Sequence, residues 1–374
     1  MKVILLFTKQ FPVWNNSPKG YLKERNLHYS QQERQAQFYE EVKNLDYPTV
    51  GIGMYSDANK KFSYLIIEKY DTQPANNDER INFYFSNVGD SIKKSGELIN
   101  ALSPLNKLPS NTQTSNKPPS PPLPFFISTI DITDLLSILQ NLGETPPKAW
   151  EILCLSQLLK KFNIFYDPAI LKKFYYSINS GNKFVILSGP TGTGKTLLGM
   201  IYAYIKSQNL LGFSQLVNVS NNENELKDKL MENPYLCFVR VQPNWVSPKD
   251  IIGYYNPFSN NFVEGQIFNF LMNASQDKNN NYFLILDEMN LSHPEWYLSD
   301  IISAMETGGA IYIHDKIIPY PKNLFIIGTI NLDETTKELS PRLKSRAFYI
   351  EMRANFENYI KNVIIIKKKK LHRY

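Results

Sequence analysis

The chain has 374 residues, 43% of them apolar and 20% charged, with two cysteines and a formal charge of +6. That length exceeds a single hydrophobic core, the composition is ordinary for a soluble globular protein, and no apolar run reaches the roughly eighteen residues of a membrane span. Cys154 and Cys237 lack metal-ligand spacing and read as buried thiols of a cytoplasmic protein.

The charge is unevenly placed. Six Lys or Arg residues and no acidic one lie from Lys361 onward, so residues 1–360 sum to zero. The basic excess is one tail, and composition gives no support for a basic DNA-binding face across the body. At the other end, M-K-V-I-L-L-F-T-K is too short for a secretory apolar region and reads as a strand.

Residues 1–103 read as a small α+β domain. Ile81, Phe83 and Phe85 alternate with Asn82, Tyr84 and Ser86, which suits a half-buried strand, and Phe62 to Tyr70 reads as another. Gln31 to Val42 and Ser91 to Leu102 suit helices. The aromatics here, among them Phe38, Tyr39, Tyr55, Phe62, Tyr64 and Tyr70, are core residues or a surface for stacking bases. Residues 104–124 are rich in Pro and Ser, which favours an extended, semi-rigid linker or a ligand for a proline-binding module. Residues 125–182 read as a helical lead-in: Asp134 to Asn141, Ala149 to Phe162, and Pro168 to Ile178, the last with Asp167 as N-cap.

An apolar run, Phe184 to Leu187, then leads into G-P-T-G-T-G-K-T: Gly189, Pro190, Thr191, Gly192, Thr193, Gly194, Lys195 and Thr196, followed by Leu197 at the start of a helix-like segment. This fits G-x-x-x-x-G-K-[ST] in the strand-to-helix context the motif needs. The glycines let successive N–H groups face a phosphate, and the helix adds its positive N-terminal end. Lys195 is expected to reach the β- and γ-phosphates and Thr196 to offer its hydroxyl to Mg2+. The expected ligand is therefore a nucleoside triphosphate, ATP by default, with GTP open because the loop reads phosphates and not the base.

Further apolar runs, Leu236 to Val241, Tyr282 to Leu286, Leu324 to Ile327 and Phe348 to Ile350, alternate with helical segments. That pattern predicts an α/β core over 183–352, a doubly wound parallel sheet with its ligand at the carboxyl ends of the strands. Asp287 and Glu288 end one run, Asp287 in the metal role and Glu288 orienting the attacking water. Asn331 ends another as a polar positioning group. Arg342 and Arg346 follow, candidates for a charge-stabilising arginine. The Asn-rich stretch between Tyr255 and Phe262 predicts a hairpin turn.

Four stretches carry a specific resemblance: F-Y-Y-S-I-N-S-G-N-K-F-V-I-L-S-G-P-T-G-T-G-K-T, P-N-W-V-S-P-K-D-I-I-G-Y-Y-N-P, L-D-E-M-N-L-S-H-P-E-W-Y-L-S-D and G-T-I-N-L-D-E-T-T-K-E-L-S-P-R-L-K-S-R-A. Residues 165–351 resemble an AAA+ ATPase of the McrB-like branch, the motor subunits of modification-dependent restriction systems. The resemblance implies Asn331 as sensor 1, Glu334 as the acidic residue three places on, and Arg346 ahead of Arg342 as an arginine acting on a neighbouring copy in a homo-oligomeric ring. It also implies a separate nuclease subunit and a modified-DNA target for the N-terminal domain. In related ring motors an insertion at the hairpin faces the pore or a partner. Tyr254, Tyr255, Phe258 and Phe262 thus touch a threaded strand or activator, or else cover the sheet. Residues 353–374, a basic tail, leave no room for the helical lid of such modules and read as a truncated or frameshifted end or as a genuinely short variant. The alternative from a different class is a remodelling or nucleotide-dependent binding protein that acts on protein partners.

Overall fold

The computed structural model describes residues 2–8, 20–23, 42, 44–45, 47–55, 59–75, 78–102, 105, 125–162, 164–181, 183–219, 222–332 and 337–352. The chain divides into two compact units, 1–157 and 158–374.

In the first unit, β1 (Lys2–Thr8), β2 (Gly20–Lys23), β3 (Thr49–Tyr55), β4 (Lys61–Ala75), β5 (Asp78–Lys94) and β6 (Phe125–Asp131) form one sheet in the order β2-β5-β4-β3-β1-β6. Only β1 and β3 run parallel; the other neighbours are antiparallel. The sheet is joined by α1 (Ser95–Leu102), α2 (Ile132–Asn141) and α3 (Lys148–Lys161). Trp150 is 1% exposed; its indole N–H donates to the Leu65 carbonyl at 2.9 Å, and its ring meets Tyr64 edge-on with centroids 5.1 Å apart. The Tyr64 hydroxyl donates to the buried Glu144 carboxylate at 3.0 Å. Phe62 and Tyr64 are therefore core residues and not a stacking surface; the side chains of Phe38, Tyr39, Tyr55 and Tyr70 lie outside the described set.

Three sequence expectations change here. Phe125–Asp131 is a strand, not the start of a helical lead-in: F-F-I-S-T-I-D is rich in aromatic and β-branched residues, and all seven pair antiparallel with β1. Residues 125–157 consequently belong to the first unit. Ser91 to Lys94 continue β5, so the helix read from Ser91 begins at Ser95. The helix read at Gln31 to Val42, apart from Val42 itself, and most of the linker fall outside the described residues.

The second unit begins with α4 (Pro168–Ile178), capped by the Asp167 carboxylate, which accepts from the Ala169 N–H at 2.8 Å. It continues through β7 (Phe184–Gly189), α5 (Lys195–Ser207), α6 (Asn209–Asn218), α7 (Glu223–Met231), β8 (Leu236–Arg240), β9 (Gly253–Asn256), β10 (Asn261–Glu264), α8 (Phe268–Gln276), β11 (Tyr282–Asp287), α9 (Pro294–Tyr297), α10 (Ser299–Thr307), β12 (Ala310–Ile313), β13 (Lys316–Pro319), β14 (Leu324–Asn331), α11 (Pro341–Lys344) and β15 (Phe348–Glu351). Five strands form an all-parallel sheet in the order β15-β7-β14-β11-β8. This confirms the predicted α/β parallel sheet.

Both faces of the sheet are covered, which explains why its strands read as continuous apolar runs. Successive side chains point to opposite faces. Phe184, Ile186, Leu284, Leu286, Leu324 and Ile326 join Phe268 and Leu271 of α8 and Ile301 of α10 in one core. On the other face Ile285 and Ile327 approach Gly199 of α5, and Phe283 meets Tyr202 edge-on with centroids 6.0 Å apart. A Cβ on Gly328 would stand 2.1 Å from the sulfur of the fully buried Met289. Gly328→Ala is expected to destabilise the unit by about 1–3 kcal/mol through overpacking, measured by denaturant unfolding of the full chain.

Burial pushes the Cys154 thiol up to about 12 and the Cys237 thiol to about 11. Both stay protonated at neutral pH and are poor nucleophiles; Cys154 is buried as expected, whereas Cys237 is half-buried. Among the described residues, no helix is long and apolar enough to cross a membrane.

Candidate functional site

Because the five strands are parallel, their carboxyl ends share one edge. That edge gathers Gly189, Arg240, Asp287, Asn331 and Glu351, with Asn331 in register with Gly189 and Asp287 with Arg240.

The loop from Gly189 to Thr196 leaves β7 and enters α5. Gly192 and Gly194 both have φ of +76°, the left-handed region that glycine enters without cost. Such turns aim consecutive N–H groups into a concavity that suits an anion. Gly194 is needed on a second count, since a Cβ there would lie 2.9 Å from the Tyr166 hydroxyl. That hydroxyl donates to the Thr193 carbonyl at 2.8 Å. Burial raises the Tyr166 phenol pKa well above its ordinary value, so it remains a donor. The Thr193 hydroxyl donates to the Pro190 carbonyl at 2.9 Å, closing the loop on itself.

Lys195 is 5% exposed, and its ammonium donates to the carbonyls of Gly189 and Pro190 at 2.8 and 2.7 Å. A charged group this deep needs partners, and the loop backbone supplies them. Thr196, next along, donates to Asp287 Oδ1 at 2.6 Å. A hydroxyl and a carboxylate side by side are hard oxygen donors that fit Mg2+, which binds proteins through one or two carboxylates and completes its shell with phosphate and water. Among the described residues there is no cluster of three or more His, Cys, Asp or Glu, and a site of this kind needs none. The Arg240 guanidinium stands 4.0 Å from the other Asp287 oxygen and is 69% exposed, so the contact is weak.

Glu288 adopts φ +53°, ψ +46°, a left-handed conformation that costs a non-glycine residue roughly 1–2 kcal/mol. Its N–H donates to the Thr329 hydroxyl at 3.0 Å, and its carboxylate accepts from the Asn331 amide at 2.8 Å. Backbone strain held by such contacts is common at functional sites. Asn290, 2% exposed, donates to the Asn331 carbonyl at 3.1 Å and so fixes the end of β14.

The structure thus brings the loop, Asp287, Glu288 and Asn331 together. It places Arg346 in an ion pair with Glu306 on α10 of the same chain. Glu334, the side chain of Arg342 and residues 353–374 lie outside the described set. The predicted hairpin is present as β9 and β10, with Tyr255 opposite Phe262. Its four aromatics divide: Phe262 packs on Phe268, Tyr255 stacks on His314 with centroids 4.1 Å apart, and Phe258 and Tyr254 are 97% and 40% exposed. Sequence reasoning missed Tyr166, Thr329, Asn290 and Arg240. The G-T-I-N stretch did contain Thr329 as a signal, but nothing local to it shows that its hydroxyl meets β11.

Neither a protein-family model nor a curated protein matches the chain significantly. Solved structures that it resembles include a candidate ATPase from Cytophaga hutchinsonii, at 15% identity over 59% of this chain and 57% of that one, with a TM-score of 0.32. Two others are the S. cerevisiae Hsp104:casein complex in its extended conformation (17% identity, 59% of this chain and 38% of that one, TM-score 0.39) and a closed-state Hsp104 with ATPγS and FITC-casein (15%, 66% and 44%, TM-score 0.39). The chain spans between 38% and 57% of the length of these structures.

Proposed function

We propose that this chain binds a nucleoside triphosphate with Mg2+ in the loop Gly189 to Thr196 and hydrolyses its terminal phosphoanhydride bond. The observation that supports this most directly is the 2.6 Å hydrogen bond from Thr196 to Asp287, which joins the phosphate-binding loop to a carboxylate 91 residues away. The loop N–H groups and the N-terminus of α5 hold the phosphates. Lys195 turns from its own loop carbonyls to the β- and γ-phosphates. Thr196 and Asp287 hold Mg2+, which when bound offsets phosphate charge. Glu288 orients and polarises the attacking water, and the Asn331 amide fixes where the Glu288 carboxylate points.

The wider reading rests on the four motif stretches. We place the chain as a ring-forming AAA+ motor of a McrB-like restriction system, with target selection in the first unit and cleavage in a separate nuclease subunit. In such a ring Arg346 completes the neighbour's site once its pair with Glu306 opens. Two assays test these levels. ATP and GTP binding with phosphate release, with and without Mg2+, is expected to show saturable, metal-dependent turnover of at least one of them; binding of neither overturns the hydrolase reading. Stimulation of that turnover by methylated DNA is the result expected of a restriction motor, whereas stimulation by protein substrates alone would favour a remodeller.

A further inference from the structure

We infer that Thr329 is a positioning residue that ties the metal-facing carboxylate of Asp287 to the backbone of Glu288, the residue whose own carboxylate faces the attacking water; this rests on the hydrolase reading above. Thr329 is 1% exposed and lies one position beyond Gly328, which is in register with Leu286, so its hydroxyl reaches the turn where β11 ends. It donates to Asp287 Oδ1 at 2.9 Å and accepts the Glu288 N–H at 3.0 Å. A hydroxyl has one proton to give, and here it goes to Asp287 while a lone pair takes Glu288.

The arrangement does more than satisfy buried polar groups. Asp287 Oδ1 receives two hydroxyls, Thr196 at 2.6 Å from the phosphate-binding loop and Thr329 from β14, so Thr329 sets the carboxylate angle that Thr196 then meets. Glu288 has the opposite problem, since its left-handed backbone must be kept from relaxing. The N–H anchor on Thr329 holds the backbone while Asn331, two residues further along the same strand, holds the side chain at 2.8 Å. β14 therefore holds both acidic residues at once, Thr329 through its hydroxyl and Asn331 through its amide. A shift of the Asp287 carboxylate is transmitted through one oxygen to the Glu288 backbone, and Asn331 on the same strand fixes the Glu288 side chain.

The test compares Thr329→Val, of similar shape but without the hydroxyl, with Thr329→Ser in the full chain. The readouts are binding of a fluorescent non-hydrolysable ATP or GTP analogue, with Mg2+ titrated from zero, and phosphate release. For Thr329→Val, metal-free analogue binding is expected to match wild type. The Mg2+ concentration for half-maximal effect should rise roughly 3- to 10-fold, the worth of one hydrogen bond. Turnover should fall by about 10²-fold, as for a misplaced catalytic group. Thr329→Ser should restore both. A purely structural role would lower thermal stability yet leave the Mg2+ dependence at wild type, and that result overturns the inference. So does a serine variant as impaired as valine, which would implicate the methyl group. If valine does not fold, Thr329→Ala, which cannot overpack, takes its place under the same criteria. Wild-type protein with no metal-dependent analogue binding would instead overturn the hydrolase reading itself.

Discussion

Glu288→Gln is expected to leave nucleotide binding intact and to lower turnover by about 10²- to 10⁴-fold, the usual contribution of a positioned general base. The substitution is a narrow probe because of how Glu288 is held. Its Oε1 accepts from the Asn331 amide, and a glutamine carbonyl oxygen accepts the same bond. Its backbone N–H still finds Thr329. What changes is the charge and the second oxygen, which becomes an NH2 donor, so a neutral amide in this place can no longer act on the water as a base. Phosphate release and analogue binding, measured on one preparation, separate the two effects. Turnover within a few-fold of wild type would remove Glu288 from the mechanism.

The parts of this site that were readable in the sequence are those written in contiguous residues. The spacing of Gly189, Gly194, Lys195 and Thr196 marks a loop whose backbone conformation is local, with Gly192 and Gly194 at φ +76°. Asp287, Glu288 and Asn331 were placed because each ends an apolar run, and in a parallel sheet such ends converge. Thr329 and Tyr166 were not readable, because their roles come from contacts 41, 42 and 27 residues away in sequence. Register between β14 and β11 decides the first two contacts, and no single strand shows its own register.

Local misreadings have local causes. T-V-G-I-G-M-Y of β3 went unassigned, and its two glycines weaken a strand signal. F-F-I-S-T-I-D of β6 directly precedes a helix with an amphipathic pattern, and that pattern masks the strand signal. The β12 and β13 hairpin turns at His314, which takes φ of +53° where glycine or asparagine would have announced the turn.

Lys195→Ala is expected to abolish detectable nucleotide binding at ordinary concentrations. The Lys195 ammonium is buried and donates to two loop carbonyls, at 2.8 and 2.7 Å. When a triphosphate enters, the same group exchanges neutral carbonyls for charged oxygens, and hydrogen bonds to charged groups contribute about 1.5–3 kcal/mol each. Losing two such bonds weakens affinity by roughly 10²- to 10⁴-fold. Thermal unfolding gives the readout without relying on turnover: ligand at about 100 times Kd stabilises a protein by about 2.7 kcal/mol. Wild type should show that upward shift in melting temperature with Mg2+ and nucleotide, and Lys195→Ala should show none. The unliganded variant should melt somewhat below wild type, because removing the ammonium takes the donor from the buried Gly189 carbonyl, so each ligand-induced shift is read against the variant's own unliganded melt. A variant that keeps the full ligand-induced shift would mean that the loop is not where the triphosphate binds.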